Sequence, residues 1–267
     1  MAKLYKKYVN ETIDEKGRLK NITFNVPEDF NFGFDVVDEL ARKSPDKKAM
    51  VWLSRDKEEK VFTFGDISRY SNKTANYFYK NGIRKGDKVM LVLKRRYQFW
   101  FAIIALHKLG AVVIPATYQL MEKDFCYRFE AAHVKAVVCA DDDGLCREVE
   151  KAAAKYGKLL FMSVTGDNRE GWSDFDKEVE EESDCFTPAE GQRPSADDDM
   201  LMYFTSGTTG YPKIATHNNK YPIGHIVTAV WWHDVREGGL HFAISDTGWG
   251  KAAWGKLYGQ WFAEECV

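Results

Sequence analysis

Lys88-Val-Met-Leu-Val-Leu93 reads as a continuous apolar strand, Tyr97-Gln-Phe-Trp-Phe-Ala-Ile-Ile-Ala-Leu-His-Lys-Leu109 as a helix, and Ala111-Val-Val-Ile-Pro115 as a second apolar strand. Short β-branched runs without polar alternation predict strands buried on both faces, and helices between them predict parallel pairing. The pattern continues. Met121 to Ala132 is expected as a helix, Lys135 to Ala140 as a strand, Asp142 to Tyr156 as a helix and Lys158 to Val164 as a strand. The expected fold class is therefore α/β, with parallel-sheet subdomains and helices on both faces.

Upstream, a polar lead-in precedes a short amphipathic helix, Phe34 to Ala41, which stops near Ser44-Pro45. Ala49 to Ser54 and Lys60 to Phe64 predict a hairpin around the charged turn Arg55 to Glu59. Thr63-Phe-Gly-Asp66 resembles a capping box; Ile67, Tyr70, Thr74 and Phe78 follow at helical spacing, and Asn81-Gly82 supplies a stop. Downstream, Thr165 to Asp199 breaks the alternation with an acidic run, Glu178 to Glu182. It reads as a linker whose Trp172, Phe175 and Val179 pin one short helix to the body, its acidity serving solvation rather than metal binding. Three segments are expected: residues 1–60 as N-terminal extension and hairpin start, 61–192 as a first α/β subdomain with the acidic linker, and 193–267 as the start of a second, incomplete at its C-terminus.

The chain has 267 residues, 45% hydrophobic, which allows a sizeable core. Its formal charge of −2 gives no electrostatic reason to expect nucleic acid or an anionic membrane as partner. Five scattered cysteines (Cys126, Cys139, Cys146, Cys185 and Cys266) contain no Cys-x-x-Cys pair, which argues against a disulfide framework or zinc site and for a reducing cytoplasm. Met1 to Asn10 lacks the apolar run of a secretory signal, and no stretch reaches the roughly 18 apolar residues of a membrane span. A soluble, cytoplasmic protein is expected.

The chemistry is concentrated in Leu201-Met-Tyr-Phe-Thr-Ser-Gly-Thr-Thr-Gly-Tyr-Pro-Lys-Ile-Ala-Thr-His217. A strand-like run feeds Thr205, Ser206, Gly207, Thr208, Thr209 and Gly210, all glycine or hydroxyl-bearing. Glycines let the backbone approach a ligand, consecutive N–H groups form an anion nest, hydroxyls add donors, and Lys213 adds a point charge. That inventory suits a polyphosphate; a flexible surface turn is the other reading of such a cluster. It is not a Walker A loop, because Pro212 stands where that pattern needs glycine and Ile214 follows Lys213. Ile214-Ala-Thr looks like another strand, so no helix dipole backs the loop.

Thr-Ser-Gly-Thr-Thr-Gly-x-Pro-Lys resembles the phosphate-loop signature of the adenylate-forming superfamily: acyl-CoA synthetases, luciferases and peptide-synthetase adenylation domains. Phe62-Thr-Phe-Gly-Asp-Ile67 and Lys108-Leu-Gly-Ala-Val-Val-Ile-Pro115 resemble two further conserved elements. Asn31-Phe-Gly-Phe-Asp-Val-Val, Leu91-Val-Leu-Lys-Arg and Thr117-Tyr-Gln-Leu120 look most like the medium-chain acyl-CoA synthetase branch. The resemblance runs from about Asn31 to Trp261.

It implies ATP-dependent activation of a carboxylic acid, a medium-chain fatty acid in this branch, to acyl-AMP and then acyl-CoA. ATP with Mg²⁺, CoA and the acid are the implied partners, with Thr205 to Gly210 and Lys213 cradling the β- and γ-phosphates. Acetyl- or aryl-specific activation, or an inactive nucleotide- or acyl-binding remnant, remain the alternatives. The family's adenine-packing Thr-Glu segment, ribose-binding Asp, hinge and catalytic lysine would lie beyond Val267, inside a helix by this reading. No catalytic residue is therefore expected among these 267, and no autonomous acid-dependent ATP–pyrophosphate exchange.

Ile244-Ser-Asp-Thr-Gly-Trp-Gly-Lys-Ala-Ala-Trp-Gly-Lys-Leu-Tyr258 is similar to the family's Asp-x-Gly-Trp element beside the acyl pocket. The resemblance implies that Trp249 walls the acyl group, with Gly250, Lys251 and Trp254 near it; Trp231, Trp232, Trp254 and Trp261 are otherwise core residues on two helices. Gly248-Trp-Gly-Lys-Ala-Ala253 mimics a dinucleotide fingerprint, but Trp249 would crowd a pyrophosphate. His217, His225, His233 and His241 are evenly spaced yet fall on different predicted elements, which argues against a metal site; His217 follows the loop, its role open.

Overall fold

The structure is a computed structural model that describes residues 3–141, 144–166, 168–206 and 210–267. The polar lead-in is not featureless. Antiparallel strands β1 (Val9–Ile13) and β2 (Leu19–Phe24) form a hairpin there. The Asp14 carboxylate accepts from the Lys16 and Arg18 amides, which closes the turn. Alternation failed as a signal because only Val9 of the pair is fully buried.

A wide turn, Gly33–Asp38, runs into helix α1 (Glu39–Lys43), which stops at Ser44 as expected. Strands β3 (Lys48–Leu53) and β4 (Glu59–Thr63) form the predicted antiparallel hairpin. Helix α2 (Phe64–Lys80) then starts on a complete capping box. Thr63 Oγ1 accepts from the Asp66 amide at 3.1 Å, and the Thr63 amide donates to Asp66 Oδ2 at 3.0 Å.

The alternating region follows as β5 (Lys88–Val92), α3 (Gln98–Leu109), β6 (Val112–Pro115), α4 (Glu122–Ala132), β7 (Val134–Ala140), α5 (Leu145–Tyr156) and β8 (Phe161–Thr165). The linker adds a two-residue strand, β9 (Ser173–Asp174), and α6 (Phe175–Glu180), pinned by buried Phe175 and Val179. Strands β10 (Asp199–Thr205) and β11 (Lys213–Asn218) complete a seven-stranded sheet in the order β11-β10-β6-β5-β7-β8-β9. Pairing is parallel except between β10 and β11.

Both faces of the sheet are covered, as the apolar runs require. Val89, Leu91, Val113, Ala136 and Val138 point into a core shared with α2 and α3. Met90, Val92, Ile114, Val137 and Cys139 point into the opposite core with α4 and α5. Every residue of α3 is buried, Lys108 included. The Lys108 ammonium survives there because Asp38 Oδ1 at 2.6 Å and Asn72 Oδ1 at 2.7 Å accept from it.

Three short helices close the chain: α7 (Tyr221–Ile226), continued by a wide turn to Trp232, α8 (Gly250–Lys256) and α9 (Tyr258–Phe262). Two expectations are corrected here. The chain does not end inside a helix: α9 stops at Phe262, Glu264 takes φ 62°, and Val267 exchanges main-chain hydrogen bonds with Ala49 and Val51 on the edge of β3. Nor is Trp232 core. It is 77% exposed, whereas Trp261 is fully buried against Phe32 and Phe64. No helix among the described residues is long and apolar enough to cross a membrane.

Candidate functional site

The loop singled out by composition connects β10 to β11. Thr205 and Lys213 face each other in register, and the Thr205 hydroxyl donates to the Lys213 carbonyl at 3.3 Å, so they close the neck of the loop. Thr205, Ser206, Gly210 and Lys213 are all exposed, and Gly210 takes φ 107°, a backbone region closed to residues with a Cβ. Gly207, Thr208 and Thr209 lie outside the described residues.

Helix α4 braces the far side of the loop. The Tyr127 hydroxyl donates to the Pro212 carbonyl at 2.7 Å, and its ring stacks on Tyr211 at 4.6 Å. The Arg128 guanidinium lies over Phe204 on β10, 5.1 Å from its centroid. None of these contacts was visible in the sequence; 85 residues separate Tyr127 from Pro212.

The second candidate segment reaches the same edge of the sheet. Since β10 runs parallel to β6 and β6 to β5, Thr205, Ala116 and Lys94 all stand at or just beyond carboxyl ends of strands. Ligands of open α/β sheets bind outside that edge. Thr247 donates both its amide and its hydroxyl to the Lys94 carbonyl. Gly248 lies against the Ala116–Thr117 peptide, and its amide donates to Asp246 Oδ1 at 2.9 Å. Lys94 itself takes φ 51°, a strained conformation for a residue with a side chain.

Trp249 then caps α8 and is 59% exposed, offering its ring to solvent. A Cβ on Gly250 would touch the Tyr203 ring at 4.0 Å, which places the start of α8 beside β10, two residues before the loop neck. Lys251 is exposed one residue on, and Trp254 is half-buried and stacks on His233 at 5.9 Å. The structure thus brings Gly250 beside the loop strand, leaves Trp249 exposed next to it and turns Trp254 toward His233. The stretch before Gly248 forms no strand, so the dinucleotide-like pattern lacks its supporting element.

His217 lies on β11, with the Tyr221 ring tilted against it at 4.1 Å and His225 edge-on beyond. These three line a groove of about 630 Å³ with Asp199, Thr216 and Thr228. Burial holds His225 down to about 4 and lowers His217, so both rings are neutral at pH 7. Among the described residues, no group of three or more His, Cys, Asp or Glu is arranged to hold a metal ion.

Residues 37–249 match the AMP-binding enzyme family, a span of well over half the chain. The chain belongs to the AMP-binding enzyme family. It is 32% identical over 256 residues to the human mitochondrial acyl-coenzyme A synthetase ACSM3, covering 93% of this chain and 43% of that protein. The human mitochondrial acyl-coenzyme A synthetase ACSM5 is 34% identical over 250 residues, covering 91% and 42%. The chain spans less than half the length of these relatives.

Among solved structures, an anthranilate CoA ligase in complex with anthranoyl-AMP superposes with TM-score 0.78 at 22% identity, covering 91% of this chain and 45% of that one. An acyl-CoA synthetase of Brucella canis gives 0.76 at 21%, covering 89% and 42%. These likenesses bear on the fold, and the α/β expectation holds. The relatives' names place them in mitochondria, which does not support the cytoplasmic expectation.

Proposed function

We propose that this chain is the N-terminal part of an AMP-forming acid–thiol ligase that activates a carboxylic acid to acyl-AMP and passes the acyl group to CoA. The observation that carries the reading is convergence: the neck of the hydroxyl-and-glycine loop and the Thr247 to Gly250 turn meet at the carboxyl edge of one sheet. In the proposal, Thr205, Ser206, Gly207, Thr208, Thr209, Gly210 and Lys213 hold the β- and γ-phosphates of ATP, which arrives as its magnesium complex. Hydroxyl and amide donors with one ammonium stabilise the pyrophosphate charge as it develops.

Trp249 walls the apolar part of the acid, with Gly250 leaving space in front of the Tyr203 ring and Lys251 and Trp254 flanking it. The names of the relatives support acyl substrates of CoA ligases, and the sequence resemblance favours a medium-chain fatty acid. Residues 193–267 begin a second subdomain that shares its first strands with the sheet of residues 61–192. Five cysteines, all free thiols here, suit a reducing compartment such as the cytoplasm.

The test is titration of the chain with MgATP, read as amide exchange of residues 199–218. The proposal expects slower exchange around Thr205 and Lys213, weakened in Lys213→Ala. Protection confined to other regions would count against the assignment.

A further inference from the structure

The stretch before Trp249 has few holds on the rest of the molecule. Phe242 and Ile244 are exposed, at 83% and 78%, and among the described residues 242–245 make no main-chain hydrogen bond to another main-chain group. Main-chain anchors among the described residues lie at its two ends, where the His241 amide donates to the Cys266 carbonyl and Thr247 to the Lys94 carbonyl.

One side chain ties the middle. Lys256, the last residue of α8, folds back so that Nζ donates to the Ser245 carbonyl at 2.6 Å. Its Nζ stands 5.8 Å from the Trp100 ring centroid, and the Trp100 indole N–H donates to the Lys256 carbonyl at 3.4 Å. The result is a ring of chain from Ser245 to Lys256, closed by an ammonium, that contains Trp249. Burial lowers the Lys256 amine to about 8, opposed by Asp246 and reinforced by Arg95. The buried ammonium is offset by the Ser245 carbonyl, the Trp100 ring and the Asp246 charge, so losing the Ser245 contact leaves it poorly compensated.

We infer that Lys256 is a positioning residue for the acyl wall: by clamping Ser245 it fixes the chain entering the Asp246–Gly248 turn, and so sets where the Trp249 ring stands. The substrate side of this inference rests on the proposed reading of Trp249 as the surface met by the apolar tail of a carboxylic acid. The clamp itself is independent of that reading.

The experiment is hydrogen exchange by mass spectrometry on the ligand-free chain, comparing wild type with Lys256→Met and Lys256→Arg. Wild type should protect the Thr247, Gly248 and Trp249 amides. Lys256→Met, which keeps the stem but removes the donor, should speed exchange in 240–250 by about tenfold or more while leaving β5 and β6 unchanged. Lys256→Arg, which keeps a donor, should restore part of the protection. Acrylamide quenching of Trp249, isolated by difference against Trp249→Phe, should rise in Lys256→Met.

Uniformly faster exchange across the core would overturn the inference in favour of general stabilisation, and so would unprotected amides in wild type if Lys256→Met does not fold. Neither assay contains nucleotide or acid. Failure of MgATP to protect the loop therefore tests the ligase reading separately.

Discussion

A Cβ built on Gly248 would stand 2.3 Å from both the carbonyl carbon of Ala116 and the amide nitrogen of Thr117. Backbone meets backbone there, with no flexible side chain to yield. The Asp246–Trp249 turn can therefore sit on the end of β6 only with glycine at 248.

Gly248→Ala should displace the turn rather than compress it. Overpacking of this kind costs about 1–3 kcal/mol. A urea titration should show the lower midpoint, and exchange in 244–250 should quicken beyond the global change. An unchanged midpoint together with unchanged local protection would show that the contact is looser than described.

The Tyr127 hydroxyl and the Pro212 carbonyl make the bond that braces the phosphate-loop candidate on α4. Tyr127→Phe keeps the ring on Tyr211 and removes the donor, for about 1 kcal/mol. Exchange of the loop strands should quicken and MgATP affinity should drop severalfold, with the melting temperature changing little. If loop exchange stays at the wild-type rate, the brace has no mechanical role.

Lys213 faces Thr205 across the neck of that loop. In a complete synthetase, Lys213→Ala should depress adenylation far more than thioester formation from supplied acyl-AMP, by roughly tenfold or more for one charge-assisted contact. Comparable losses in the two half-reactions would separate Lys213 from the triphosphate.

His107 is fully buried, with Nε2 2.8 Å from the Tyr258 hydroxyl and, among the described residues, no partner for Nδ1. Burial holds it near 3, down from 6.5. The folded state thus binds fewer protons than the unfolded one between those values, so stability is complete above pH 6.5 and declines as pH falls toward 3. His107→Gln removes that titration and keeps a polar partner for Tyr258. The drop in urea midpoint between pH 7 and pH 4.5 should be smaller in the variant than in wild type. Equal drops would assign the acid limb to other groups.

Much of the architecture was readable in advance, and for local reasons. The strands from Lys88 onward announced themselves because burial on both faces demands unbroken apolar runs, and α2 because Thr63 and Asp66 satisfy its first amides within three residues. The loop after β10 was legible by composition, as was the absence of a helix behind it. The β1–β2 hairpin was not, since one buried residue leaves no alternation to see.

The sequence by itself determined the order of strands and helices, the α/β class and the position of the hydroxyl-and-glycine loop, because hydrophobic period, capping and glycine content act over a few neighbouring residues. Tertiary structure alone decided that Tyr127 would brace Pro212, that Gly248 would rest on Ala116, that Thr247 would bind the Lys94 carbonyl, and that Lys256 would turn back to Ser245. The first three contacts join residues that the sheet order, and nothing in their local sequence, brings within bonding distance; the fourth depends on α8 turning the chain back on itself over 11 residues.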